Sequence, residues 1–414
     1  MKQCGHSHRL ADIVGNAVLR KLGSVSFIVA TWLLSSASAS AQLAKEKEQP
    51  SLDKPPYDLT WRVTDDVWLR PFGFAQLRWT GNYREQPDGG DTWTSAFTVP
   101  RARVHLEGGV TEYMSFMLRV GALSNGDVSF EQAYADAHLG RVTLRAGQFN
   151  LPLIAEEQTR PDRLQATDFS QSGNTFASGQ VAGVGAIYDA DWLRAHVYTT
   201  NGLRTGFAEV QGPLNARYAF MTRLEALALG NRQNWKRFDD RSSFRGSDFA
   251  VRVGLSGHYQ KMPESFNQPN AQLAMLAADV TLEGDGWNVF GNAVWAHTEA
   301  PSASDLDAAG IFLQAGVFLI DRLEIFVAYD AVLTDGAPVP TNPSATPTTD
   351  YHSVLAGTNF YLTPHEHRAK LQLDGVWALD PIATSLVDTA SNTGLLATTE
   401  GGQAAMRLQL VIGF

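Results

Sequence analysis

The chain ends on RLQLVIGF, residues 407–414, and the alternation in it runs to the last residue. Arg407, Gln409, Val411 and Gly413 share one parity; Leu408, Leu410, Ile412 and Phe414 share the other. Successive side chains of a strand point to opposite faces, so this segment reads as a strand with one apolar face. Chain ends ordinarily fray in polar sequence. An apolar face carried to the carboxyl group needs something to cover it. The same period recurs upstream. RARVHLEG sets Arg101, Arg103, His105 and Glu107 against Ala102, Val104 and Leu106. MSFMLRVGA sets Ser115 and Arg119 against Met114, Phe116, Leu118 and Val120. RVTLRAG opposes Arg141, Thr143 and Arg145 to Val142, Leu144 and Ala146. HRAKLQLDGVW opposes Arg368, Lys370, Gln372 and Asp374 to Ala369, Leu371 and Leu373.

About sixteen such segments of roughly 9–14 residues follow one another, the length that a tilted membrane-spanning strand needs. They are predicted to begin near residues 67, 96, 112, 129, 141, 179, 191, 214, 247, 271, 286, 309, 322, 351, 366 and 402. Short connections, for example near 139–140 and 321–322, take turns with long ones near 82–95, 150–178, 201–213, 261–270, 299–308, 334–350 and 380–401. That is the pattern of an all-β transmembrane antiparallel barrel with tight periplasmic turns and longer outer loops. One connection breaks the rhythm. Residues 227–246 fall where a short turn belongs, yet the stretch is long and charged, so it is either a periplasmic insertion or a slip in the strand count. Alternating strands also build soluble sandwiches. Long charged side chains in mid-strand favour a barrel, which places them in a wet lumen and leaves no backbone edge in hydrocarbon.

The N-terminus reads as an export signal. Arg20 and Lys21 precede an apolar run from about Val25 to Leu34, then Ala39-Ser40-Ala41 forms a small-x-small cleavage site before Gln42. The expected organisation is a signal peptide over 1–41, a flexible periplasmic lead-in over 42–65 and a barrel over 66–414. The only cysteine, Cys4, leaves with the signal, so no disulfide or thiol chemistry is expected afterwards. The whole chain has 33 basic and 43 acidic residues; the signal takes four and one of these, leaving a net charge of −13. That balance argues against nucleic acid as a partner. Lysine is scarce beyond the signal: Lys45, Lys47, Lys54, Lys236, Lys261 and Lys370.

From about Phe72 to Gly202 the chain resembles the phosphate-selective porins of the O and P type. PRARVHLEG (100–108) is similar to that family's arginine-rich second strand. QAYADAHLGRVTLRAGQFNLP (132–152) is similar to its hairpin ending in Gly-Gln-Phe, GQVAGVGAIYD (179–189) to its next strand, and the aromatic ending to the assembly signal of outer-membrane barrels. The resemblance implies a sixteen-stranded, trimeric outer-membrane channel for passive diffusion of small hydrophilic solutes, with anions such as phosphate as one candidate class. It implies no cofactor, and lipid and solute as the other partners. It also implies that the third outer loop, here 150–178, folds into the lumen. That loop would bring Glu156, Glu157, Arg160, Asp162 and Arg163 to the constriction, facing wall residues Arg101, Arg103, Arg119, Arg141 and Arg145. The arginines have two readings: a ladder that selects solutes, or braces paired with Glu107, Glu131 and Asp136. The family commonly carries lysine after Gly-Gln-Phe, where this chain has Asn150.

Other motifs carry less. His365-Glu366-His367 has metal-ligand residue types, but it lies in a turn with no third ligand near in sequence. Gly183-Val184-Gly185 lacks the surrounding βαβ unit of a nucleotide loop. Ser256 and His258 share a face, but no acid is placed to orient the histidine, and no catalytic residue is assigned. An outer-membrane barrel acting as an enzyme or assembly factor, and a soluble exported β-sandwich binding glycans, are the alternatives.

Overall fold

The period of two becomes strand pairing in the computed structural model, which describes residues 59–85, 90–123, 128–205, 215–264, 270–299, 305–334, 350–383 and 393–414. The predicted signal peptide, most of the predicted lead-in and parts of several long loops lie outside the described residues. Trp61–Arg62, at the end of the predicted lead-in, form a two-residue strand beside Leu69 and Trp68.

The strands are β1 (Trp68–Glu85), β2 in two pieces (Asp91–Thr98 and Arg101–Thr111), β3 (Met114–Leu123), β4 (Val128–Leu139), β5 (Val142–Asn150), β6 (Gln180–Asp189), β7 (Leu193–Thr200) and β8 (Tyr218–Leu229). Then come β9 (Ala250–Lys261), β10 (Gln272–Gly284), β11 (Trp287–Glu299), β12 (Leu306–Ile320), β13 (Leu323–Thr334), β14 (Tyr351–Tyr361), β15 (Ala369–Ala378) and β16 (Ala404–Gly413). Counting β2 once and leaving the two-residue strand aside, sixteen strands among the described residues pair antiparallel with their neighbours, and β16 pairs with β1 to close the ring. The predicted starts lie within five residues of the observed ones, and closure removes the sandwich alternative. β2 breaks because Pro100 has no N–H to give to the ladder. Both its pieces pair with β1, Thr98 with Arg78 and Ala102 with Ala75, so the break is one extra residue accommodated as a bulge.

The faces separate as RLQLVIGF implies. Leu408 is 41% exposed on the outside, whereas Gln409 beside it is 0% exposed. Leu118, Leu144, Val197, Leu255, Leu276, Leu313 and Val327 carry the exposed apolar face around the ring. A closed barrel satisfies every strand edge and leaves this face for lipid.

The seam depends on one glycine. Gly73 and Phe414 exchange both backbone hydrogen bonds (3.1 and 3.0 Å). A Cβ on Gly73 would meet the Arg103 carbonyl oxygen and the Phe414 ring, the latter at 2.8 Å. Gly73→Val should therefore cost about 1–3 kcal/mol by overpacking, read as a lower unfolding midpoint in detergent. An unchanged midpoint would show that the seam yields freely.

The connection 230–249 resolves the break in rhythm. It lies at the end of the barrel that carries the short turns 112–113, 140–141, 285–286 and 321–322, and the strand count does not slip. It is a long periplasmic insertion with a short helix, Asn234–Arg237, and it folds inward: Trp235, Phe238 and Arg241 are each 1% exposed.

Candidate functional site

The lumen is occupied by a loop that crosses it. Residues 151–179 leave β5 after Asn150, carry helices α1 (Ala155–Gln158) and α2 (Gln171–Phe176) with a 3-10 turn (Pro161–Arg163) between, and return at Gln180. Its apolar side packs Leu151, Leu153, Ile154 and Phe176 against Met221, Met275, Ala277, Val294, Ala296 and Ala308. These wall positions point inward on the parity that carries polar side chains deeper in the same strands, Arg223, Asp279, Asn292 and Gln314 among them. They are apolar because the loop covers them.

The loop's folded shape is fixed by its own acids. Glu156 accepts from the Ser170 N–H (2.8 Å) and hydroxyl (2.5 Å). Glu157 accepts from Ser178 N–H, Ser178 Oγ and Gly179 N–H at 2.8–2.9 Å and closes the neck. Burial lifts each carboxyl to about 7 against the hydrogen bonds from Ser170 and Ser178. The first turn of α2 donates Gln171 N–H and Ser172 N–H to Asp330 on β13, satisfying two backbone donors that a helix start leaves free. Arg204 donates to the carbonyls of Asn174, Thr175 and Ala177 at the other end.

Residues 164–168 form a strap against the far wall. Lys370 Nζ donates to Leu164 O (2.6 Å), and Gln372 Nε2 to Gln165 O (3.0 Å). Thr167 N–H donates to Asp374 (2.8 Å), whose carboxylate is also gripped by Arg407 at 2.7 and 3.0 Å. Asp168 receives Arg78 (3.1 Å) and Arg101 (2.8 Å). Burial alone would push the Asp168 carboxyl up; the two guanidiniums outweigh it and hold it below the usual carboxylate range. The strap thus ties β15, β16, β1 and β2 to a loop that left from β5.

The predicted site residues separate into three groups. Arg103 (2.7 Å) and Arg119 (2.8 Å) share Glu131, and Arg145 grips Asp136 through two 2.8 Å hydrogen bonds while lying 3.9 Å from the Tyr134 ring centroid. With Arg101 on Asp168, these arginines brace the wall. In the loop, Arg160 holds Asp162 at 2.7 and 3.0 Å, and Arg163 reaches Asp240 of the periplasmic insertion at 2.8 Å. Glu156 and Glu157 are committed to the loop itself. Arg141 is the correction: it sits in the exposed turn 140–141, just before β5 begins, and interacts with Tyr188, so it does not line the wall. Parity extrapolated one residue too far, into a turn.

Sequence reading missed the insertion's part. Arg241 N–H donates to Arg163 O (3.2 Å) and Arg241 Nη2 to Ala155 O (2.8 Å). Two wall residues hold both inserted segments. Asn288 accepts from Gln165 (2.8 Å) and donates to Arg241 O (2.6 Å). Glu324 accepts from Gln165 (2.6 Å) and from Ser242 (2.9 Å). The charge and length of 230–249 were the only sequence signals, and neither gives its direction. Ser256 donates to Leu153 O, holding the loop, and His258 faces Gln260. His365 and His367 pack edge-on to Phe244 of the insertion. A cavity of about 310 Å³ remains near the periplasmic mouth, lined by Glu107, Ser115, Met117, Tyr134, Asp136 and His138 among others.

The family model for phosphate-selective porin O and P matches residues 75–302. A comparison with curated protein sequences finds no match. The fold is similar to that of the outer membrane channel DcaP of Acinetobacter baumannii, with TM-score 0.58, 11% identity and coverage of 86% of this chain and 99% of that one. It is also similar to an anion-selective porin from Comamonas acidovorans (TM-score 0.55, 10% identity, 84% and 100% covered) and to Salmonella typhi OmpF in complex with daunomycin (TM-score 0.55, 10% identity, 84% and 98% covered).

Proposed function

The chain belongs to the phosphate-selective porin O and P family and is an outer-membrane porin channel; from that premise we propose that it passes small hydrophilic solutes along an off-centre path with a modest preference for anions. The observation that carries this reading is the sharing of acids between arginines. Arg103 and Arg119 share Glu131, and Arg78, Arg101 and Arg407 stand against Asp168 and Asp374. Each group has one more cation than anion. Side chains in a confined lumen feel less screening than in bulk water, so a surplus of this size biases ion entry. Among the other predicted site arginines, Arg145, Arg160 and Arg163 are each matched by one acid, Asp136, Asp162 and Asp240, which favours bracing over a ladder of free cations. Export through cleavage after Ala41 and assembly of three barrels belong to the same proposal, supported by the N-terminal pattern and by family membership.

The test is the reversal potential in a potassium chloride gradient, with and without phosphate. A small anion preference is expected, shifting toward zero in Arg119→Gln, with little response to phosphate. A strong preference abolished by Arg160→Ala with Arg163→Ala would refute the reading, because both of those arginines are paired.

A further inference from the structure

Two segments enter this barrel, one from each mouth, and they meet. The outer one is the loop 151–179. The other is the periplasmic insertion 230–249. It begins at Gly230 (φ +116°) and turns again at Gly246 (φ +87°), conformations that side-chain-bearing residues rarely adopt.

Between these glycines the insertion buries Asn234, Trp235, Phe238 and residues 240–244, while 231–233, 236, 239 and 245 stay exposed. Trp235 donates its indole N–H to Asp191 O (3.0 Å) under the Arg194 guanidinium, whose carbon lies 4.4 Å from the Trp235 ring centroid. Arg241 lies 3.6 Å over the Phe290 ring. Ser243 donates to Gly284 O (2.7 Å), and Phe244 sits 5.1 Å from the ring centroids of both Phe318 and Tyr361. The contacts reach β10, β11, β12 and β14, so the insertion covers the inner face of that arc from below. The cavity near the periplasmic mouth is lined from the other side, by Asp65, Asp66 and Trp68 and by β2, β3 and β4, and no insertion residue lines it.

We infer that the insertion 230–249 is a second constriction element: it fills the β10–β14 side of the lumen from the periplasmic mouth and, with the outer loop, sets the size of solute the channel passes. This rests on the channel reading and adds to it a specificity determinant outside the outer loop. The joint between the segments is the Arg163–Asp240 ion pair, flanked by the two hydrogen bonds from Arg241 to loop carbonyls. A sixteen-stranded ring without such fillings leaves an aqueous channel, so the interior filling decides what passes.

The experiment replaces residues 230–249 by Asn-Gly, a turn suited to an antiparallel hairpin, in the full chain. Folding is checked by heat-modifiable migration. Single-channel conductance and liposome swelling with neutral sugars of increasing size are the readouts. The expected result is a conductance rise of about two- to threefold, with larger sugars admitted. A folded, shortened barrel that conducts and excludes as the parent does would overturn the inference. If the shortened chain does not fold, Asp240→Ala with Arg241→Ala decides at full length: higher, noisier conductance supports the inference, and unchanged traces refute it. A silent parent beside a conducting shortened variant also supports it. Silence from both would instead refute the channel reading beneath it.

Discussion

Asp168→Ala is expected to undock the third outer loop while leaving the barrel intact. The Asp168 side chain is fully buried, and the guanidiniums it receives, Arg78 and Arg101, are nearly so. Removing one member of such a group leaves charge buried without its partner, a loss of about 3–5 kcal/mol. Strand pairing is untouched, since Arg78 on β1 stays paired with Thr98 and Arg101 on β2 with Leu123. The cost therefore falls on seating residues 164–168, where Arg78 also bonds Thr167 O. Conductance should rise with frequent flicker, and limited proteolysis should cut within 151–179, while migration of the folded barrel stays as it was. Asp168→Asn should lie between the two, keeping shape and losing charge. A quiet channel of parental conductance with a protease-resistant loop would show that the strap is held without this acid.

The second large effect concerns the outside. Leu313 lies midway along β12, is 52% exposed, and faces outward between Gly291 and Tyr329 of the neighbouring strands. Arginine at the middle of a lipid-facing strand costs about 2–4 kcal/mol, falling to about 0–1 near the interface. Leu313→Arg should lower stability toward guanidinium in lipid vesicles by that amount. Leu319→Arg, at the turn end of the same strand, should cost much less. Equal effects at the two positions, or none, would mean that lipid does not surround this face.

Much of the barrel is legible because a strand states its two faces in its own sequence. RARVHLEG and RLQLVIGF put Arg101, Arg103, Arg407 and Gln409 inward without knowledge of any partner. Closure follows from the same local rule repeated. The site is different, because its contacts join residues far apart in the chain. Arg163 finds Asp240 across 77 positions and Thr167 finds Asp374 across 207; no local pattern marks either pair. Parity names the face of Met221 and Met275 but not what lies over them, so their inward apolar character is understood only once Leu153 and Phe176 are seen against them. Turns set the other limit. Arg141 shares the parity of Arg145, yet at Gly140 the chain has already reversed (φ +66°).

The strap at 164–168 has a consequence for the order of assembly. Its anchors come from opposite ends of the strand order: Arg78 and Arg101 lie on the first two strands of the barrel, Asp374 and Gln409 on its last two. They become neighbours only when β16 zips onto β1. Until that moment the strap has half a berth, so its full seating depends on closure of the ring.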